Sequence, residues 1–419
     1  MRIHKASILL ASLFLSSCAS ISEGIVTAIV KKDTAATDKR QCEVTGTAFE
    51  GIRQGLEPDQ KKTTKILVVH GIQKHFPGYS TRFKDKLTYA LGLDKVSAKH
   101  KEIMITREDM RNENGDYDNL GVLRISRHMN QDHSKELLYY ELTWSEIVDA
   151  GRESMSGDYS LPRAKVNHAI KSFMNQTIPD LLAYRGIEQE KIHRAVSEST
   201  CWTFAGGWDD LPVKGRHICK LDAHDKIDNI LNEDHFFVSH SLGSRIVIDT
   251  LSQTVDIVED LAPTSDVAQK LFHTLQHKEM NLFMLSNQLP LLQIGQKKPD
   301  ITENIEAYCT AAEKKYAQRI FQKLNLVAFS DPNDILSYPV PPYYADYHID
   351  SRLCPNIINV NLNVTHNKKL FGVNFANPAE AHSGYLEDDR IIAMIADGLS
   401  REKSHPLVKE KCRWIETIK

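Results

Sequence analysis

The sequence contains no C-x-x-C pair, no H-E-x-x-H helix and no segment in which Cys and His cluster, so the ligand spacings of a zinc site are missing. No metal and no organic cofactor is expected. An excess of one charge is also lacking. Lys and Arg number 52 against 55 Asp and Glu, for a formal net charge of -3 at pH 7, so the basic face that nucleic acid selects is absent and no nucleic-acid partner is expected. There is no internal repeat or low-complexity tract, and beyond the N-terminus no run approaches the ~20 apolar residues of a membrane span. What is present is the composition of a folded globular chain, 41% hydrophobic and 26% charged over 419 residues. That is enough apolar surface for one large core carrying insertions.

The first residues read as an export signal. Arg2 and Lys5 precede the apolar stretch from Ala6 to Leu15, too short to span a bilayer, and Leu15-Ser16-Ser17-Cys18 follows. This tetrapeptide resembles a bacterial lipobox. The resemblance implies a signal peptide over 1–17, acylation of Cys18 and a membrane partner reached through that anchor. Ala19 after the cysteine implies an outer-membrane destination in the cell envelope. Export into an oxidising compartment gives meaning to the six remaining cysteines, Cys42, Cys201, Cys219, Cys309, Cys354 and Cys412, an even number able to form up to three disulfides. Cys201 and Cys219 lie close in sequence and are expected to pair, closing a loop.

Residues 18–64 are polar and contain breakers such as Glu57-Pro58-Asp59, and read as a tether and irregular lead-in. Lys65-Ile66-Leu67-Val68-Val69-His70-Gly71 is a continuous apolar run ended by glycine, the pattern of a strand buried on both faces of a parallel sheet. Leu137 to Trp144, His235 to Val238, Asn281 to Leu285 and Leu324 to Phe329 are further strand-like runs. Ile357 to Val364 alternates apolar residues with Asn359, Asn361 and Asn363, as a strand does near a sheet edge. Helical patterns separate these runs, which predicts an α/β fold over 65–419. Residues 145–230, with amphipathic stretches and a Gly/Pro/Trp-rich piece, form an insertion that reads either as a cap over a pocket or as the crossover that parallel strands require.

The segment Phe237-Val238-Ser239-His240-Ser241-Leu242-Gly243-Ser244-Arg245 is a buried strand, a turn of small residues and the start of a helix. It resembles the nucleophile elbow of the α/β-hydrolase superfamily, G-x-S-x-G, with Ser239 in place of the first glycine. His70-Gly71 is similar to the His-Gly turn beside the oxyanion hole of lipases and esterases in that superfamily. What the resemblance implies is an α/β-hydrolase fold, mostly parallel and flanked by helices, with Ser241 as nucleophile, the N–H groups of Ile72 and Leu242 as oxyanion donors, and His70, Gly71, Ser239 and Gly243 as supports of the two turns. It further implies an acid and then a histidine, in that order, downstream. The acid follows the strand ending at Phe329, where Asp331 and Asp334 compete. Asp331 precedes Pro332 and suits the capping of a turn, and Asp334 is the expected triad acid. His382, in a loop of small residues before the amphipathic stretch Asp389 to Leu399, is preferred as base over His366.

The implied activity is that of a serine hydrolase cleaving carboxylic esters through an acyl-enzyme. The aromatic, proline-rich loop Tyr338-Pro339-Val340-Pro341-Pro342-Tyr343-Tyr344 beside the acid suggests a lipid or another hydrophobic acyl ester, with a small ester as the other option. A protein of the same fold that binds an envelope partner without catalysis is the reading of a different class.

Overall fold

A computed structural model of the chain describes residues 41–56, 63–96, 99–111, 114–155, 165–221, 224–302, 304–366, 368–370 and 373–415. The leader 1–17, Cys18 and most of the tether lie outside them. The strands are β1 Cys42–Thr45, β2 Thr63–Val69, β3 Asp94–Lys95, β4 Lys101–Ile105, β5 Gly121–Met129, β6 Glu136–Thr143, β7 Lys214–His217, β8 Asp234–His240, β9 Glu279–Leu285, β10 Lys323–Ser330, β11 Pro355–Leu362, β12 Lys368–Leu370, β13 Val373–Phe375 and β14 Cys412–Trp414. Twelve of them form one sheet in the order β14-β1-β11-β10-β9-β8-β2-β6-β5-β4-β7, with β3 paired to β5. From β11 to β6 the six strands run parallel, and antiparallel strands extend the sheet on both sides. The fold is therefore α/β, with a mostly parallel sheet.

The central strands are apolar without interruption because both faces are covered. Ile66 and Val68 of β2 lie on one face, with Phe83, Leu87 and Leu91 of helix α1 (Thr81–Leu91) and Ile391, Met394 and Ile395 of a helix near the C-terminus. The spacing of Phe83, Leu87 and Leu91 places all three on one side of α1. The helix stops at Gly92, whose φ of 70° is the left-handed conformation that glycine adopts at no steric cost.

The described residues fall into two compact units. The smaller contains Ile72–Lys74 and Val148–Gln189, with helices α2 Asp149–Met155 and α3 Lys165–Arg185. Its polar centre is Asp180, wholly buried, which pairs with Arg152 at 2.8 Å and accepts the Gln73 N–H at 2.5 Å. The larger unit holds the sheet and helices α4 Gln189–Phe204, from its second residue, α5 Gly243–Leu261, α6 Pro378–Ser383 and α7 Asp389–Asp397.

Two features differ from the sequence expectation. The lead-in 18–64 contributes β1 and a helical turn at Ile52–Gly55, because β1 closes the flank of β11 through residues more than three hundred positions away. Ile357 to Val364 lies near an edge, as its alternation indicated: β11 is third from the β14 end of the sheet, covered by β1, with Asn359 engaged by the backbone of Val340. The region between α1 and β6 supplies β3, β4 and β5, and the insertion 145–230 returns β7 to pair with β4. The cysteines stand in three disulfide pairs, Cys42 with Cys412 across β1 and β14, Cys201 with Cys219 as expected, and Cys309 with Cys354.

Candidate active site

β2, β8, β9 and β10 end side by side, so the turns that follow them share one rim of the sheet, the usual place for ligands in open α/β sheets. At the end of β8 the chain reverses within one residue. Ser241 has φ 57°, its N–H donates to Leu285 O at 2.9 Å, and Ser244 and Arg245 return N–H bonds to Ser241 O and Leu242 O as α5 begins. A non-glycine residue held there costs about 1–3 kcal/mol and persists only when its surroundings over-determine it. Ser241 is 0% exposed, and its Oγ has no hydrogen-bond partner among the described residues.

Two glycines make this turn sterically feasible. A Cβ on Gly71 would lie 2.4 Å from His240 O and 2.5 Å from Ser241 Cβ, and one on Gly243 would lie 2.7 Å from Val69 O and 2.8 Å from His70 O. The turns after β2 and β8 therefore touch backbone to backbone. Ser239, the residue that departs from the elbow pattern, is buried and its hydroxyl is satisfied by Ser244 Oγ at 3.2 Å and Phe283 O at 3.4 Å. Its Cβ thus fits between β8 and β9 without an orphaned polar group.

His70 is engaged in holding its own turn. Nδ1 donates to Gly71 O at 2.9 Å, Nε2 accepts the Trp144 N–H at 3.1 Å, and the ring stacks on the Trp144 indole. Those partners fix one neutral tautomer, since a carbonyl only accepts and an N–H only donates. Leu242 follows Ser241, and its N–H donates to no protein group among the described residues. Ile72 comes directly after Gly71, is buried, and is counted with the smaller unit.

Asp334 and His382, the expected acid and base, are in contact. His382, in α6, has Nδ1 3.1 and 3.2 Å from the two carboxylate oxygens of Asp334, while its buried Nε2 has no hydrogen-bond partner among the described residues. Asp334 also accepts the hydroxyl of Ser286 at 2.7 Å, the hydroxyl of Tyr385 at 3.2 Å and the Leu336 N–H at 3.1 Å. Burial pushes this carboxyl up, but the hydrogen bonds from His382 and Ser286 outweigh it and leave Asp334 below the ordinary carboxylate value. Asp331 is engaged elsewhere. One of its oxygens accepts the Asn333 N–H at 2.8 Å, closing the turn at Pro332, and the other accepts Val364 N–H at 2.7 Å and Thr365 N–H at 3.4 Å. His366 stands exposed beyond β11.

His240, Tyr385 and Ser286 were not singled out by sequence. The His240 Nε2 lies 2.8 Å from His382 O and must donate, which ties the stretch carrying His382 to the residue before Ser241. Burial, with His382 close by, lowers His240 to about 3, so it stays neutral. Tyr385 accepts the backbone N–H of Asp331 at 2.6 Å and donates to the Asp334 carboxylate, linking the start of the turn to the acid three residues later. A legible signal existed for Tyr385, three residues after His382 on the same helical stretch. Among the described residues no group of three His, Cys, Asp or Glu side chains is arranged to hold a metal ion. Comparison with protein-family models, with curated proteins and with solved structures found no match to the chain.

Proposed function

We propose that the protein is a serine hydrolase of carboxylic esters, of the α/β-hydrolase kind, in which Ser241, His382 and Asp334 act as nucleophile, base and orienting acid. The observation that carries this reading is a pair of buried, unpartnered atoms, Ser241 Oγ and His382 Nε2, with the far nitrogen of the same imidazole held by a carboxylate. Nε2 is the nitrogen left to take a proton, because Nδ1 faces two acceptor oxygens. In the reaction Ser241 Oγ bonds to the ester carbonyl carbon as its proton passes to Nε2. Collapse returns that proton to the departing alcohol and leaves an acyl-serine. Water then repeats the sequence, releasing the acid and restoring Ser241. By the resemblance of the turn at Ser241, the N–H of Leu242 would receive the oxyanion, where the loss of one donor costs about 3 kcal/mol of barrier.

A hydrophobic acyl ester is the preferred substrate. The loop after Asp334 exposes Ile335 (63%), Tyr338 (43%) and Tyr343 (61%), apolar surface suited to an acyl chain. The Leu15-Ser16-Ser17-Cys18 tetrapeptide supports attachment to the bacterial envelope through a lipid on Cys18. The complete burial of Ser241 is what favours the second reading, a hydrolase-like protein that binds an envelope ligand without catalysis. A fluorophosphonate probe separates the two. Wild type should be labelled at neutral pH and Ser241→Ala should not, whereas folded wild type that remains unlabelled supports the binder.

A further inference from the structure

Ser286 ends β9 in a conformation that a serine seldom adopts, with φ 52°, and is wholly buried. At such a position glycine or asparagine is the ordinary choice. The common reason to keep serine is a local cap, its hydroxyl bonding a backbone group of its own turn. That role belongs to a neighbour here: Asn287 Oδ1 accepts the Leu289 N–H at 3.3 Å, and Asn287 N–H donates to Phe329 O at 3.0 Å. The Ser286 hydroxyl instead faces Asp334 Oδ2 at 2.7 Å and His382 Nδ1 at 3.0 Å.

We infer that Ser286 is a positioning residue of this site, whose hydroxyl keeps the Asp334 carboxylate and the His382 ring in register. The inference rests on the hydrolase reading above. A carboxylate has only acceptors, so the single hydroxyl proton of Ser286 goes to Asp334. Its lone pairs are then turned to His382, and Nδ1 lies among three acceptor oxygens, two from Asp334 and one from Ser286. The proton of the imidazole is thereby fixed on Nδ1 and the lone pair on Nε2, even when the ring shifts between the carboxylate oxygens. Asp334 alone, approached from one side, leaves the ring free to rock about Nδ1. The bond between Asn287 N–H and Phe329 O ties this serine to the end of β10, three residues before Pro332, so acid and hydroxyl move together.

The test uses Ser286→Ala and Ser286→Gly in the full chain. Glycine removes the hydroxyl while relieving the positive φ, so a variant that folds as well as wild type is at hand. Loss of a hydrogen bond to a charged group in such a position lowers turnover roughly 10- to 100-fold. We expect that fall in kcat for both variants with KM unchanged, slow but complete fluorophosphonate labelling, and a shifted or broadened downfield proton resonance of His382 Nδ1. Ser286→Gly with wild-type kcat and an unchanged Nδ1 resonance overturns the inference and leaves Ser286 as a turn residue. Should wild type itself neither label nor turn over ester, the hydrolase reading fails. The resonance then still decides the positioning role: altered in the variants it stands, unaltered it falls.

Discussion

At the amino ends of β2 and β8 a buried lysine is paired, whereas at their carboxyl ends a serine hydroxyl in a strained turn is left open. Lys65 Nζ, with no exposed side-chain surface, donates to Glu233 Oε2 at 2.7 Å and to Gly206 O at 2.9 Å, and His235 Nε2 lies 3.4 Å from the same carboxylate. At the other rim Asp334 and His382 make a comparable buried contact, yet His382 Nε2 and Ser241 Oγ have no hydrogen-bond partner among the described residues. Both ends carry the desolvation cost of charge. An unsatisfied buried polar atom costs a further 1–3 kcal/mol or so and has no structural return. The cluster around Lys65 also keeps one such atom, His235 Nδ1, so the difference that points to chemistry is a serine hydroxyl left open in a strained turn, which the amino ends do not have.

The largest effect that would break this comparison is on turnover. Asp334→Asn keeps the shape of the acid but removes the charge that orients His382, and kcat should fall by about 10⁴ with the protein still folded. Asp331→Asn should leave kcat within a few-fold and lower the melting temperature instead, since Asp331 accepts N–H groups that hold the turn and the end of β11. Kinetics and thermal denaturation of the two variants, measured side by side, decide. An inactive, folded Asp331→Asn beside a near-normal Asp334→Asn would move the acid three residues upstream.

The opposite outcome is expected at the closed end. Burial works against both charges, lowering the Lys65 ammonium; at Glu233 the bonds from His235 and Lys65 outweigh burial and hold the carboxyl below its ordinary value. Glu233 therefore remains a carboxylate, and Lys65→Met leaves it buried and uncompensated. Breaking such a pair costs about 3–5 kcal/mol. Chemical denaturation should show that loss, while kcat per folded molecule stays at the wild-type value. A variant that is as stable as wild type but slow would tie the two ends together and undo the distinction.

The open end was legible in the sequence and the closed end was not, for physical reasons. An elbow must be made of small residues between an apolar strand and a helix, so Ser241, Leu242 and Gly243 stand out as a pattern. Asp331 before Pro332 carries turn chemistry that distinguishes it from Asp334, and the bond from Asn333 N–H is that turn. Lys65 gave no such signal. It opens an apolar run, and only the pairing of β2 with β8 brings Glu233 to it from 168 positions away. Ser286 was invisible because a serine after a strand is common, and its partners come from two other loops. β1 was read as lead-in because four residues with no periodicity become a strand only once β11 offers them an edge.

The smallest expected effect concerns protons, and it sharpens the comparison by setting one histidine at each end against the other. His240, near the nucleophile, is pushed down to about 3, first by burial and then by His382 and His75 beside it, with Asp334 and the bond to His382 O working in the other direction. His235, at the closed end, is also lowered by burial, but Glu233 opposes the shift directly. In an unfolded chain both would titrate near the ordinary histidine value of about 6.5. A group whose folded value is depressed adds stability that is complete above the unfolded value and is lost as pH falls toward the folded one. Between about pH 6.5 and 4 unfolding should therefore take up about one proton at His240, and His235, also lowered, adds to the uptake in the same direction. The slope of unfolding free energy against pH reads this directly. His240→Asn should flatten the slope by nearly one proton across that window, and His235→Asn should change it in the same direction. A slope left unchanged by His240→Asn would mean that folding does not hold His240 neutral, and that the burial of the residue before Ser241 carries no cost for a new charge.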